Sequence, residues 1–310
     1  MQRFYPTPRP DTLSDKAIED LRQKRFMPVG KTQREVRIAA VLGMDDEARQ
    51  SLARLISLSK TQQVGIAGRL MPDSQVSRKL AAMGIVEEVD RADLFRYRVI
   101  GIPYVGISPK QRREWEESGI KLEDFTSPQV RRAQVALGLL RMEGAQGLVV
   151  GSHEEPETLA ICGGSVATPI LQDTTDTARL RFAPAFGVVC QTRLSPRRVA
   201  WLVQQLRYRW RDSRVTFLNT LSAAMQAREQ ALEKILSDCE RVIVMGDKGE
   251  SSCEALVETA LLRGKTATVI ADPTELDLAD FPAGEKIALT AGAFVEAERV
   301  REIAEILIGS

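Results

Sequence analysis

From Arg37 onward, short apolar runs alternate with longer segments whose apolar residues recur every three or four positions. The short runs are VRIAAVLG, QQVGIAG, YRVIGIPY, GLVVGS, FGVVCQT, VTFLNT, RVIVMGD, TATVIAD and KIALTAG. Their length and their valine and isoleucine content predict strands. The longer segments, DDEARQSLARLISLS, SPQVRRAQVALGLLRMEG, SPRRVAWLVQQLRYRW, SAAMQAREQALEKILSD and SSCEALVETALLRG, carry the helical period. Strands that alternate with helices predict an α/β fold, with parallel sheets covered by helices on both faces. The strand and helix content repeats in three blocks, 36–125, 126–220 and 221–310, so three small α/β units are expected in place of one large sheet. Residues 1–35 differ: Pro6, Pro8, Pro10 and Pro28 bracket a charged helical stretch, read as an N-terminal extension that packs on a surface or reaches a partner.

Composition narrows the class. With 43 Lys and Arg against 42 Asp and Glu, the net charge of +1 points to neither a nucleic-acid binder nor an acidic tail. No apolar run is long enough to span a bilayer and the first residues lack the apolar core of a secretory signal, so a soluble, cytoplasmic protein is expected. Cys162, Cys190, Cys239 and Cys253 fall at no metal-ribbon or CxxC spacing, which predicts free thiols. The single histidine, His153, excludes the commoner His-rich zinc sites and any mechanism that needs two imidazoles.

In such folds ligands sit beyond the carboxyl ends of the strands, in the loops that lead into helix N-termini. Ser108-Pro109, Ser127-Pro128 and Ser195-Pro196 read there as helix starts, with the serine oxygen accepting an orphan N–H and proline at the first helical position. GSHEEPET places Glu154, Glu155 and Glu157 beside His153: a solvated loop, or a site holding a catalytic carboxylate. GDKGESSCE could cradle an anion, although Glu250 and Glu254 would repel a phosphate. The arginines of 193–214, interleaved with Trp201, Tyr208 and Trp210, suggest a basic outer helix face with a packed aromatic stripe rather than RNA contact. No Gly-rich dinucleotide or P-loop signature is present; AICGGS fits neither.

Taken in order, FGVVCQTRLS, AREQAL, RVIVMGDKGESS, RGKTATVI and ALTAGA, with LAAMGIV, GISP and TSPQV upstream, give a chain that resembles the LytB family of 4-hydroxy-3-methylbut-2-enyl diphosphate reductases. The resemblance implies three α/β units in a pseudo-threefold arrangement around a central cavity. It also implies where this chain departs. The family's three iron–sulfur cysteines correspond to Asp45, Ser127 and Ser222, and cluster ligands are thiolates. Three of its substrate-contacting histidines correspond to Pro72, Val105 and Glu155, and the last serine of its Thr-Ala-Gly-Ala-Ser motif to Phe294. Its diphosphate loop reads Glu250, Ser251 and Ser252. Glu157 stands at the family's proton-donating glutamate, and Thr192 at the threonine of its Thr-Gln-Thr motif.

The expectation is therefore a cluster-less LytB-like protein with no cofactor, whose cavity takes a neutral or cationic small molecule. Glu157 and Glu155 are the candidate acid–base pair for a non-redox elimination, hydration, isomerisation or condensation. Asp45, Tyr104, Ser127, His153, Thr192, Ser222, Glu250, Ser251, Ser252 and Phe294 are the candidate ligand contacts. Two alternatives stay open. One is a non-catalytic partner or regulatory subunit, docking as a homo-oligomer or on another protein through 1–35 or 193–214. The other is a reductase whose metal has moved to Cys190 and Cys253.

Overall fold

A computed structural model describes residues 34–163, 168–282 and 284–309. The expected N-terminal extension lies, but for its last two residues, outside them, as does part of the AICGGS string. The described chain falls into two compact units. One comprises the residues up to Gln50, Asp73–Gln75 and those from Ala224 onward; the other comprises Ser51–Pro72 and Val76–Ala223.

The first unit holds a four-stranded parallel sheet in the order β1-β11-β9-β10, with β1 at Glu35–Ile38, β9 at Arg241–Met245, β10 at Thr266–Ile270 and β11 at Lys286–Ala291. The strand that opens the expected block 36–125 thus pairs with β11, Ile38 opposite Leu289. Helices α8 (Ala223–Leu236), α9 (Ser251–Leu262) and α10 (Ala297–Ile308) pack on this sheet. Val300, Ile303 and Leu307 of α10 meet Ile243, Met245, Ile287 and Leu289 on one face; Leu232 and Leu236 of α8 and Leu256 of α9 meet Val242, Val244 and Ala288 on the other. Alternate residues of β9 and β11 therefore serve opposite cores, which is why residues 242–245 and 287–289 are unbroken apolar runs. Edge strand β10 is partly exposed along its length.

Two further parallel sheets make the second unit. One has the order β2-β3-β4 (Val64–Ile66, Val99–Ile102, Leu122–Asp124); the other runs β6-β5-β7-β8 (Ile170–Leu171, Gln146–Val150, Ala185–Cys190, Arg214–Phe217). All nine strand runs read in the sequence form strands, while β4 and β6 lie outside those runs, being only three and two residues long. The described helices with residues in this unit are α1 (Asp46–Ser59), α2 (Ser74–Ala82), α3 (Pro109–Glu117), α4 (Pro128–Met142), α5 (Pro156–Cys162), α6 (Thr174–Arg179) and α7 (Pro196–Arg209), the first two beginning in the other unit. Four of them start at a proline, a residue preset for the first helical turn. Ser108 and Ser127 accept hydrogen bonds from Gln111 N at 3.1 Å and Gln129 N at 3.2 Å. None of the described helices is long and apolar enough to cross a membrane.

The aromatic stripe of 193–214 is not packed as expected. Val199, Leu202, Val203 and Leu206 already fill the inward line of α7, so Trp201 and Tyr208 fall on the opposite line and are 49% and 67% exposed. Only Trp210 turns in, donating its indole N–H to the Thr177 carbonyl at 3.2 Å.

Candidate functional site

In the second unit the loop after β7 is held from three directions. Thr220 Oγ1 accepts from Cys190 N at 2.9 Å and donates to the Cys190 carbonyl; Ser222 N donates to the Thr192 carbonyl at 2.8 Å. From α5, Thr158 Oγ1 donates to Gln191 Oε1 at 3.1 Å. Gly151 makes that approach possible, because a Cβ there would stand 2.4 Å from Thr158 Oγ1. The strongest tie is Glu157. Its carboxylate has no solvent exposure, accepts from Thr192 N at 2.6 Å, and forms an ion pair with the buried Arg193.

Among the candidates of this unit, Glu157, Thr192 and Ser222 are thus linked in one chain of contacts. Tyr104 and Ser127 form a second linked pair: Ser127 N donates to the Tyr104 carbonyl at 2.9 Å, and both side chains are buried. Gly106 adopts the left-handed φ of +83° and brings the loop after β3 against Thr126, Val130 and Ala160. Glu155 caps α5 by position only, with no side-chain hydrogen bond to the helix, and is half-buried. His153 turns outward. Its Nε2 lies 3.2 Å from Asp176, a member of the capping box that starts α6.

In the first unit Asp45 bonds to Arg228 at 2.6 Å, and the wholly buried Arg228 also donates to the Gly43 carbonyl. Glu250 is the N-cap of α9. Its Oε2 accepts from Ser252 N at 3.0 Å, from Cys253 N at 3.1 Å and from the Ser252 hydroxyl, whose oxygen accepts from Ala293 N at 2.8 Å. Ser251 and Phe294 are buried in the same unit.

These contacts change the electrostatics expected of the loops. Asp45, Glu155, Glu157 and Glu250 were to make an acidic lining, yet Asp45 and Glu157 each face a buried arginine and Glu250 faces the positive end of a helix. Sequence reasoning missed Arg193 and Arg228 as site residues. The signal was present for Arg193, a guanidinium three residues beyond a fully apolar strand, but it was absorbed into the basic segment that follows.

The donor set does not fit an iron–sulfur cluster. Ser127 is engaged as a helix cap and Asp45 is ion-paired; among the described residues no three His, Cys, Asp or Glu side chains converge to hold a metal ion. Cys190 and Cys253, the alternative ligands, are core thiols. Burial pushes Cys190 up to about 11, against a smaller downward pull from Thr220; burial and then the Glu250 charge push Cys253 well above the ordinary thiol range. A cleft of about 650 Å³ lined by Lys60, Thr61, Gln63 and Arg98 lies at the amino ends of β2 and β3, away from these loops.

Comparison with known proteins agrees with this architecture. The family described as LytB protein matches residues 46–308. The 4-hydroxy-3-methylbut-2-enyl diphosphate reductase of Symbiobacterium thermophilum is 26% identical over 253 residues, covering 78% of this chain and 84% of that protein. The enzyme of the same name from Treponema denticola is 27% identical over 274 residues, covering 83% and 93%. Among solved structures, the E-1-hydroxy-2-methyl-but-2-enyl-4-diphosphate reductase of Plasmodium falciparum superposes with a TM-score of 0.80 at 21% identity, covering 89% of this chain and 88% of that one. The three parallel sheets are those of that fold, and with the family match over most of its length the chain belongs to the LytB family.

Proposed function

We propose that this LytB-family protein has left the reduction of 4-hydroxy-3-methylbut-2-enyl diphosphate named for its relatives, and binds a small, polar molecule without a cluster. The observation that carries the reading is the donor set. Where the resemblance implies cluster ligands, Ser127 caps a helix and Asp45 is closed by Arg228. A hydroxyl and a paired carboxylate are poor ligands for iron–sulfur centres, which require thiolates. Of the neutral and cationic ligands first expected, the neutral class is favoured, because Arg193 offsets Glu157 and removes the charge that would have selected a cation. In this reading Glu157 is the post that fixes Thr192 and Arg193, whose loop, with Tyr104, Ser127 and Ser222, offers ligand contacts.

Iron and sulfide analysis, with the visible spectrum, of protein purified without oxygen tests the reading. Colourless protein with iron far below one atom per chain is expected. A stoichiometric cluster would defeat the proposal and return the reductase reading through Cys190 or Cys253.

A second reading rests on α7. Arg197, Trp201, Gln204 and Tyr208 follow its outward line, and the Arg211 guanidinium stacks 4.5 Å from the Tyr208 ring centroid. Exposed tryptophan, tyrosine and arginine are the residues that dominate protein interfaces. We infer from them a non-catalytic subunit that docks on an acidic protein partner. Recovery of the same stoichiometric partner by wild type and by Trp201→Ala would defeat this use of α7.

A further inference from the structure

Helix α4 carries an apolar line on its solvent side, beside the exposed Arg131, Arg132 and Arg141. Val130, Ala133, Ala136, Leu137 and Leu140 face inward, as the period requires. The opposite line should be polar, but it reads Val135, Gly138, Leu139 and Met142 at i, i+3, i+4 and i+7. Val135 is 62% exposed, Leu139 52% and Met142 85%, while a Cβ added at Gly138 would meet nothing within 4 Å. The next helix, α5, is tied to α4 by Gln134, whose Nε2 donates to the Ala160 carbonyl at 2.9 Å, and it adds the exposed Leu159. Scattered apolar residues on a surface need no explanation; a continuous ridge along the outermost line of a helix does.

We propose that this ridge is the contact face of a homodimer, in which α4 packs antiparallel on α4 of a second copy across a twofold axis between Gly138 and Leu139. The ridge is complementary to itself when reversed about that point. Val135 then lies opposite Met142, and Leu139 projects over the open surface of Gly138, a large residue against a small one, twice over.

The charges flanking the ridge select the same partner. Arg132 and Glu143 are exposed, and neither makes an ion pair with any described residue. Eleven residues of helix are close to three full turns, so the two lie on one flank at opposite ends of α4. In an antiparallel pair each flank meets its own copy, so Arg132 comes within reach of the partner subunit's Glu143 at both ends. A parallel pairing would turn each flank to the opposite flank of its partner and leave Arg132 and Glu143 unmatched. The positive amino end of each α4 also approaches the negative carboxyl end of the other.

A face of one helix and part of the next buries less than the ~800 Å² per partner of a stable complex, so a weak dimer is expected, with a Kd of roughly 1–100 μM. Sedimentation velocity of the full chain across about that concentration range measures it. Leu139→Glu, exposed and without a core contact, should leave the monomer folded by circular dichroism and weaken the dimer more than roughly tenfold, since it buries an unpaired charge. Arg132→Glu alone and Glu143→Arg alone should each weaken it, and the two together should restore it to within about threefold, because the reversed pair reforms across the axis. A chain that stays monomeric throughout the range overturns the proposal, as does a dimer indifferent to Leu139→Glu or unrescued by the double reversal.

Discussion

Glu157 and Glu250 stand in comparable places, each at the start of a helix that follows a buried parallel strand, and the protein answers their charges differently. Glu157, two positions into α5, is met by Thr192 N and by a guanidinium 36 residues further along the chain. Glu250 is met locally by the first amides of its own helix and by Ser252. The first arrangement depends on the tertiary fold, because carboxylate and arginine are both buried and neither is tolerated alone. The second can form with α9 itself. The comparison separates a carboxylate that joins two loops from one that finishes a helix.

The largest effect should come from breaking the first. Arg193→Met leaves Glu157 buried without its cation, and loss of one partner of such a pair costs about 3–5 kcal/mol. Urea unfolding should show that loss as a lower midpoint at an unchanged slope. Adding Glu157→Gln should recover much of it, since a neutral amide can still accept from Thr192 N. A loss below about 1 kcal/mol for Arg193→Met would place the pair among the weak surface bridges and dissolve the contrast.

That dependence also explains what could be read in the sequence and what could not. The strands and long helices were legible because apolar period is a local property: FGVVCQT and RVIVMGD announce β7 and β9 without reference to anything else. Ser127 as a helix cap was legible for the same reason. The membership of β1 was not, since its register against β11 spans about 250 residues and no local pattern encodes it. The carboxylates that Arg193 and Arg228 meet were illegible on the same ground, although the place of Arg193 just beyond β7 could be read. An arginine in a loop or on a helix reads as solvated until the fold brings a carboxylate to it, and Asp45, Glu155, Glu157 and Glu250 were accordingly expected to make an acidic lining, in which the arginines offset Asp45 and Glu157 and the helix cap offsets Glu250. Trp201 and Tyr208 are a different case. Counting from Val199, Leu202, Val203 and Leu206 would have put them outside, and the aromatic character of the residues misled where the spacing did not.

The smaller effect belongs to Glu250, and it carries a chemical reporter. Glu250→Ala removes the cap of α9 and should cost about 1 kcal/mol, several times less than Arg193→Met. Beside each glutamate lies a buried thiol. Burial leads for both Cys190 and Cys253, but the charge of Glu250 is the second cause for Cys253, whereas that of Glu157 ranks behind the Thr220 hydrogen bonds for Cys190. Thiolate absorbance followed against pH should therefore move down further for Cys253 in Glu250→Ala than for Cys190 in Glu157→Gln. The sign for stability follows. Below the ordinary thiol value of 9.0 both states keep their protons and the wild type has its full stability; as pH climbs from there through about 11, the unfolded chain ionises while native Cys190 does not, and stability falls. Replacing Cys190 with alanine should flatten part of that fall, whatever it costs at neutral pH. If Cys253 instead titrates unchanged in Glu250→Ala, the carboxylate does not act on the thiol, and the two glutamates differ only in how their hydrogen bonds are made.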